Sequence, residues 1–386
     1  MNIKETDKKY IMGTYGRFDL ELTRGSGSTL YDADGKRYTD FGSGIAVNTF
    51  GVADREWIAA VEKQLGMLQH SSNYYYTAPC AELAEMLCER TGMSKVFFSN
   101  SGAEANECAI KAARKYGTDS NPDKNVIITL KNSFHGRTVT TLSATGQDVF
   151  HKNFTPFTPG FVYVEAENTE ELRAAVENNC AAAIMLELIQ GEGGVVTLSR
   201  EYVQAAARIA AENDMLLVID EVQTGNGRCG TLYAYEQFGI KPDIVTTAKG
   251  LAGGLPIGAT LFSEKLADIL PPGSHGSTFG GNPVSAAAAV NVLSRINDGL
   301  LEEVRKKSEY FFKRLSAMRG VKSVCGMGLM IGIETEKPAK ELAQSCLENG
   351  LLVLTAKSRI RLLPALNITY EEIDRGLEIF EKVSGK

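Results

Sequence analysis

Between about residue 80 and residue 247, the chain alternates short unbroken apolar runs with longer stretches of helical period. The runs are Val96-Phe97-Phe98, Val126-Ile127-Ile128, Phe161-Val162-Tyr163-Val164, Ala183-Ile184-Met185-Leu186, Leu216-Leu217-Val218-Ile219 and Ile244-Val245. Helical patterns at 103–116, 170–178 and 200–212 fall between them. Strands without polar alternation are buried on both faces, so this pattern predicts an α/β fold with a mostly parallel sheet covered by helices. The first ~45 residues differ, reading as strands at Leu20–Thr23, Leu30-Tyr31 and Lys36–Tyr38 with an Asp32-Ala33-Asp34-Gly35 turn. The sheet pattern ends near residue 265. Beyond it come two helical stretches over about 283–318, a strand at Leu329–Ile333, a helix near 338–349, strands near 351–362 and a final helix. We expect a large domain over 51–280 and a smaller α+β domain built from both chain ends, 1–50 and 281–386.

Composition narrows the function classes. A net charge of -6 would repel a polyanion, so neither nucleic acid nor a membrane surface is expected as a partner. No stretch reaches the roughly 18 apolar residues of a membrane span, and MNIKETDKKY lacks the apolar core of a secretion signal. Seven scattered cysteines without a CxxC pair suit reduced thiols, and a cytoplasmic location is expected. The four histidines show no metal-ligand spacing, so no metal is expected.

Two motifs invite readings that fail. Leu216–Glu221 resembles the acidic strand end of a P-loop nucleotidase, but the chain has no Gly-Lys-Ser/Thr. Gly225-Asn226-Gly227-Arg228-Cys229-Gly230 matches GxGxxG. Asp220 and Glu221, however, stand at the strand tip, where they would repel a pyrophosphate.

Open parallel sheets bind ligands beyond the carboxyl ends of their strands, and Lys249 follows one such strand. A lysine there is ordinarily solvated. Asp220, at the end of the buried Leu216–Ile219 run, changes that reading. An amine able to form a Schiff base beside a buried acid suits pyridoxal phosphate, whose ring nitrogen must stay protonated to draw electrons. The segment from Ser99 to Asn106 joins a strand to a helix. Ser101 and Glu104 form a capping box, while Gly102 and Ala103 leave a phosphate room at the positive helix end.

The segments FFSNSGAEANECAIKAARK, NSFHGRT, LELIQGEGGV, LLVIDEVQTGNGR, DIVTTAKGLAGGLPIGA and HGSTFGGNP occur in this order, and the chain resembles the class III pyridoxal-phosphate aminotransferases over nearly its whole length. The resemblance implies a fold-type I enzyme working as a homodimer, with active sites at the interface. It assigns Lys249 to the Schiff base, Asp220 to the ring nitrogen, Gln223 to the ring hydroxyl and Phe134 to the ring face. Ser101, Gly102 and Ala103 would hold the phosphate, with Thr278 of the neighbouring subunit. Glu221 and Val222, between Asp220 and Gln223, count among the cofactor contacts.

The same resemblance implies transfer of the δ-amino group of N2-acetylornithine to 2-oxoglutarate, a step of arginine biosynthesis. One arginine should serve the carboxylate common to both substrates and a second only the dicarboxylate; Arg137 and Arg361 match these roles. Glu192 matches a switch that pairs with Arg361 while the amine donor is bound, and Ser277 a substrate contact across the interface. In a competing reading these arginines make surface ion pairs. Sibling enzymes acting on succinylornithine, ornithine or 4-aminobutyrate, an aminomutase or racemase, and a cofactor-binding protein without turnover are the alternatives. Gly51-Val52-Ala53-Asp54-Arg55 departs from the Gly-His-x-His-Pro run of relatives, and Leu188 stands where they usually place proline.

Overall fold

A computed structural model describes residues 2–385. Its largest sheet has seven strands in the spatial order Lys95–Ser99, Gly258–Phe262, Ile244–Thr247, Leu216–Asp220, Ala181–Leu186, Val126–Leu130 and Phe161–Val164. Gly258–Phe262 runs antiparallel to both neighbours, and the other pairings are parallel. All six apolar runs read from the sequence lie in this sheet. Every residue of Leu216–Asp220 and Ala181–Leu186 is buried. The seventh strand was not separable by pattern, because Gly258-Ala259-Thr260 offers no apolar run.

Helices cover both faces. Gly102–Ser120 starts at Ser101, whose Oγ accepts the Glu104 N–H at 3.2 Å. It lays Ala105, Cys108, Ala109, Ala112 and Ala113 fully buried against the sheet. Such small residues let a helix approach closely and supply dense dispersion contact. Helices Arg55–Leu65 and Ala78–Thr91 escaped the sequence reading. Only Gln64 is buried in the first, and only Leu83 and Leu87 in the second, too few to mark an apolar stripe.

A second core gathers Phe41 with Val304, Phe311, Leu315, Ile331, Ile333, Ile360, Ile373, Leu377 and Phe380. It joins the N-terminal sheet (Leu22–Ser26, Thr29–Asp32, Arg37–Asp40) to the C-terminal segments, and Leu351-Leu352 pairs directly with Arg37–Asp40. Helix Pro283–Arg295 is a correction to the expected grouping. Its Ala286, Ala288, Ala289, Val292 and Leu293 belong to the main core with Leu83 and Leu87, and only the following helix, Asp298–Ser316, enters the second. Its alanine-rich face fits the two helices that the sequence reading missed. Among the described residues no helix is long and apolar enough to cross a membrane.

Candidate active site

The carboxyl ends of the central strands open into a cavity of about 390 Å³. It is lined by Lys249, Asp220, Phe134, His135, Arg137 and Glu187, and by Ser101, Gly102, Ala103, Val222 and Gln223. The amine at 249 and the acid at 220 therefore face a single space.

The loop after Ile244–Thr247 carries Lys249 in an uncommon backbone conformation, with φ +46°. For a residue with a Cβ this costs about 1–3 kcal/mol and persists only where surrounding structure imposes it. Here the surroundings supply three bonds to alternate carbonyls. Asn226 Nδ2 donates to Ala248 O at 3.1 Å, Thr49 Oγ1 to Gly250 O at 2.6 Å, and Trp57 Nε1 to Ala252 O at 2.8 Å. Burial pushes the Lys249 amine below the usual lysine range, opposed by Asp220 and Glu192. A desolvated amine of lowered pKa is a better nucleophile.

Asp220 is held from three sides. Oδ2 accepts from Asn106 Nδ2 at 2.8 Å and faces His135 Nδ1 at 2.8 Å, while Oδ1 accepts the Val222 N–H at 3.0 Å. Asn106 is itself fixed by Thr246 Oγ1, which donates to its Oδ1 at 2.7 Å. Burial opposes charge on His135, but the Asp220 carboxylate outweighs it and raises the imidazole pKa. His135 and Glu187 were not read as site residues. Neighbouring strands bring them in, and nothing in their own segments marks that meeting.

The two arginines differ. Arg137 is exposed within the cavity, its guanidinium 4.0 Å from the centroid of the Phe150 ring and 5.2 Å from that of Phe134, with no ion pair among the described residues. Arg361 is 3% exposed and donates to Glu192 Oε1 at 2.6 Å and to Gln223 Oε1 at 3.1 Å. Its Nε is buried without a partner among the described residues. Gln223 thus joins the Arg361–Glu192 pair to the cavity wall.

The aminotransferase class-III family model matches residues 11–383. The chain is 50% identical to the acetylornithine aminotransferase of Haemophilus ducreyi, over 99% of this chain and 98% of that protein. Its fold is similar to that of the Toxoplasma gondii ornithine aminotransferase, a structure with PLP partly occupying its active site. The TM-score is 0.94 at 30% identity, covering 99% of this chain and 93% of that one. It is also similar to the Stenotrophomonas maltophilia N-acetylornithine aminotransferase, with a TM-score of 0.86 at 34% identity over 98% and 97% of the two chains. The chain belongs to the class III aminotransferases.

Pyridoxal phosphate, the cofactor of that family, fits what this aminotransferase presents. The first-turn N–H groups of a helix have no intrahelical acceptors, and Gly102 and Ala103 at such a turn line the cavity. A Cβ at 102 would lie 2.6 Å from Val222 Cγ1, so glycine lets Val222 close over the helix start. Lys249 Nζ makes no hydrogen bond among the described residues, and His135 Nε2 is buried without a partner. The donor set therefore supplies an amine, a carboxylate, an anion-binding helix end and an aromatic face.

One expected contact, Glu221, lies elsewhere, and Ser277 and Thr278, expected to serve a neighbouring subunit, lie outside this chain's own cavity. Glu221, fully buried, turns away from the cavity; its carboxylate accepts from Thr224 Oγ1 at 2.5 Å and Tyr235 N–H at 2.8 Å. A residue following Asp220 along an extended strand end points the opposite way, which adjacency in sequence concealed. Ser277 and Thr278 line a separate groove with Tyr74, Tyr75 and Tyr76. Ser277 Oγ accepts from Asn100 Nδ2 at 3.1 Å in the same chain. The GxGxxG segment is a connecting loop whose Gly227 and Gly230 adopt positive φ.

Proposed function

We propose that this aminotransferase moves the δ-amino group of N2-acetylornithine to 2-oxoglutarate, with pyridoxal phosphate held by Lys249, Asp220, Gln223, Phe134, Val222, Ser101, Gly102 and Ala103. The observation carrying this reading is the contrast between an unpaired Arg137 and an Arg361 clasped by Glu192. A donor with one distal carboxylate needs one free guanidinium, whereas glutamate needs two, and Glu192 withholds the second until a dicarboxylate competes for it.

The cofactor supplies a Schiff-base-forming aldehyde and an electron sink. Lys249 Nζ, poorly solvated and of lowered pKa, takes the proton from the amine-bearing carbon and returns it. The Asp220 carboxylate, oriented by Asn106 and the Val222 N–H, holds a proton on the ring nitrogen. Phe134 would offer its aromatic face to the cofactor ring, and Val222 lines the same cavity. Arg137 forks onto the substrate carboxylate, and Arg361 turns from Glu192 to the second carboxylate of glutamate.

We infer further that two chains associate. Tyr74, Tyr75 and Tyr76 are exposed in the groove that Thr278 lines, and its neighbour Phe279 is exposed too, an apolar grouping of the kind that interfaces cover. Thr278 and Ser277 would then serve the second chain's site. We place the small domain at 1–50 with residues from about 296 onward, and the enzyme in the cytoplasm.

Half-reactions test this reading. Bound-cofactor absorbance is followed while N2-acetylornithine, N-succinylornithine, ornithine or 4-aminobutyrate is added without an oxo acid. N2-acetylornithine should give the highest kcat/KM, and parallel double-reciprocal lines should follow when 2-oxoglutarate is varied. A tenfold preference for another amine would replace the substrate. Turnover independent of any oxo acid would replace the reaction class.

A further inference from the structure

Glu187 stands one residue beyond the buried strand Ala181–Leu186. The pairing of Ile219 with Leu186 places it beside Asp220 at the end of the neighbouring parallel strand. It is 5% exposed and lines the cavity. Its two oxygens serve different segments. Oε1 accepts the Phe134 N–H at 2.7 Å, and Oε2 accepts the Gly191 N–H at 3.3 Å. The first segment carries Phe134 and Arg137; the second carries Glu192 and, through it, the clasped Arg361. One carboxylate therefore ties together the two loops that bear the carboxylate-recognising groups.

The placement is electrostatically adverse, since two acids at adjacent strand ends repel. Burial raises the Glu187 pKa and Asp220 adds to the rise, while His135 and the two N–H bonds oppose it. A residue needed only to fill this space would be apolar at less cost. A polar side chain here has a use only if both N–H groups require it.

We propose that Glu187 is a positioning residue that sets the Phe134–Arg137 loop against the Gly191–Glu192 loop, so that discrimination between the monocarboxylate donor and glutamate depends on it. This rests on the aminotransferase reading above. Loss of the Oε2 bond frees the loop that seats Glu192 against Arg361. Arg361 then becomes available to glutamate before its turn, and the donor loses its advantage.

The test uses the holoenzyme with Glu187→Ala, Glu187→Gln and Glu187→Asp. Glutamine matches the size but has a single acceptor oxygen, so its amide opposes one of the two N–H groups. Aspartate keeps both oxygens but is too short to span both loops. Two quantities are measured: the ratio of kcat/KM for N2-acetylornithine over glutamate, each in single turnover, and hydrogen exchange of segments 132–137 and 188–194. Glu187→Ala, which loses both bonds, should lower the ratio about tenfold, the size expected from releasing the Gly191 N–H that seats Glu192, and speed exchange in both segments. Glutamine and aspartate should each release one segment and fall between. Equal losses in both half-reactions, or unchanged exchange in both segments, overturn the proposal. If the alanine variant does not fold, the nearly isosteric glutamine variant decides by the same two readouts. Failure of the parent enzyme with both substrates would sink the proposed function instead, and the exchange measurement would still judge Glu187.

Discussion

Lys249 depends on residues far away in the chain for its conformation. Asn226, Thr49 and Trp57 bind the carbonyls flanking a backbone that would otherwise relax from φ +46°. Lys249→Ala should abolish turnover and leave the cofactor removable by dialysis, checked by absorbance of the dialysed protein. Asn226→Ala should be subtler. A buried amide that satisfies Ala248 O and contacts Thr247 Oγ1 at 3.0 Å is worth about 1–3 kcal/mol when removed. We expect a roughly tenfold lower kcat with little change in KM for either substrate. A KM effect alone would show that Asn226 acts on binding rather than on Lys249. Glu192→Gln removes the charge that holds Arg361. It should lower KM for glutamate and raise it for N2-acetylornithine, each by several-fold, as steady-state kinetics of both half-reactions will show.

Elements carry a second layer of dependence. Helix Arg55–Leu65 starts at Asp54, whose Oδ1 accepts the Trp57 N–H at 2.9 Å, and Trp57 in turn binds the Lys249 turn. The Asp54 carboxylate also takes a two-pronged grip from Arg295 at 2.6 and 3.0 Å, and that guanidinium lies 3.8 Å over the Phe50 ring. The segment that departs from the Gly-His-x-His-Pro run of relatives is therefore an intact joint between helices Arg55–Leu65 and Pro283–Arg295. Arg295 holds the Asp54 pKa below the ordinary 3.8. A depressed folded-state value contributes stability that is complete above the unfolded pKa and fades as pH falls through the folded one. Asp54→Asn keeps the helix cap but loses the charge, so it should cost about 1–3 kcal/mol at pH 7. The difference from the parent should shrink below about pH 4. Urea melts at pH 7 and pH 3.5 measure both; an equal difference at the two values would mean the ion pair is irrelevant.

For the molecule as a whole, the two chain ends must meet. Gly376 in the last helix faces Phe41 just past the N-terminal sheet, and a Cβ there would lie 2.1 Å from the Phe41 ring. Gly376→Ala should cost about 1–3 kcal/mol through overpacking, seen as a lower melting temperature of the cofactor-loaded enzyme. No loss would mean that this contact does not secure the closure. Association is the second property of this scale. Sedimentation should give about twice 41.8 kDa, and Tyr75→Glu should reduce it toward one chain while weakening the activity. Monomeric yet active enzyme would remove Thr278 and Ser277 from the site.

Period and local chemistry along the chain determined six of the seven strands of the central sheet, the Ser101-capped helix, and the placing of Asp220 and Lys249 each at or just past a strand end. Each is written within a few consecutive residues: an unbroken apolar run, a Ser-x-x-Glu start, or a polar group at a strand tip. Only tertiary structure decided what crosses between strands. Glu187 gains its role from the register that sets Asp220 beside it, His135 from the loop that carries it to Asp220 Oδ2, and Asn106 from a helix packed over that strand. The seating of helix Pro283–Arg295 on the main core, and the turning of Glu221 away from the cavity, depend likewise on which surfaces meet. Spacing along the chain carries no record of such meetings, because they join residues tens to hundreds of positions apart.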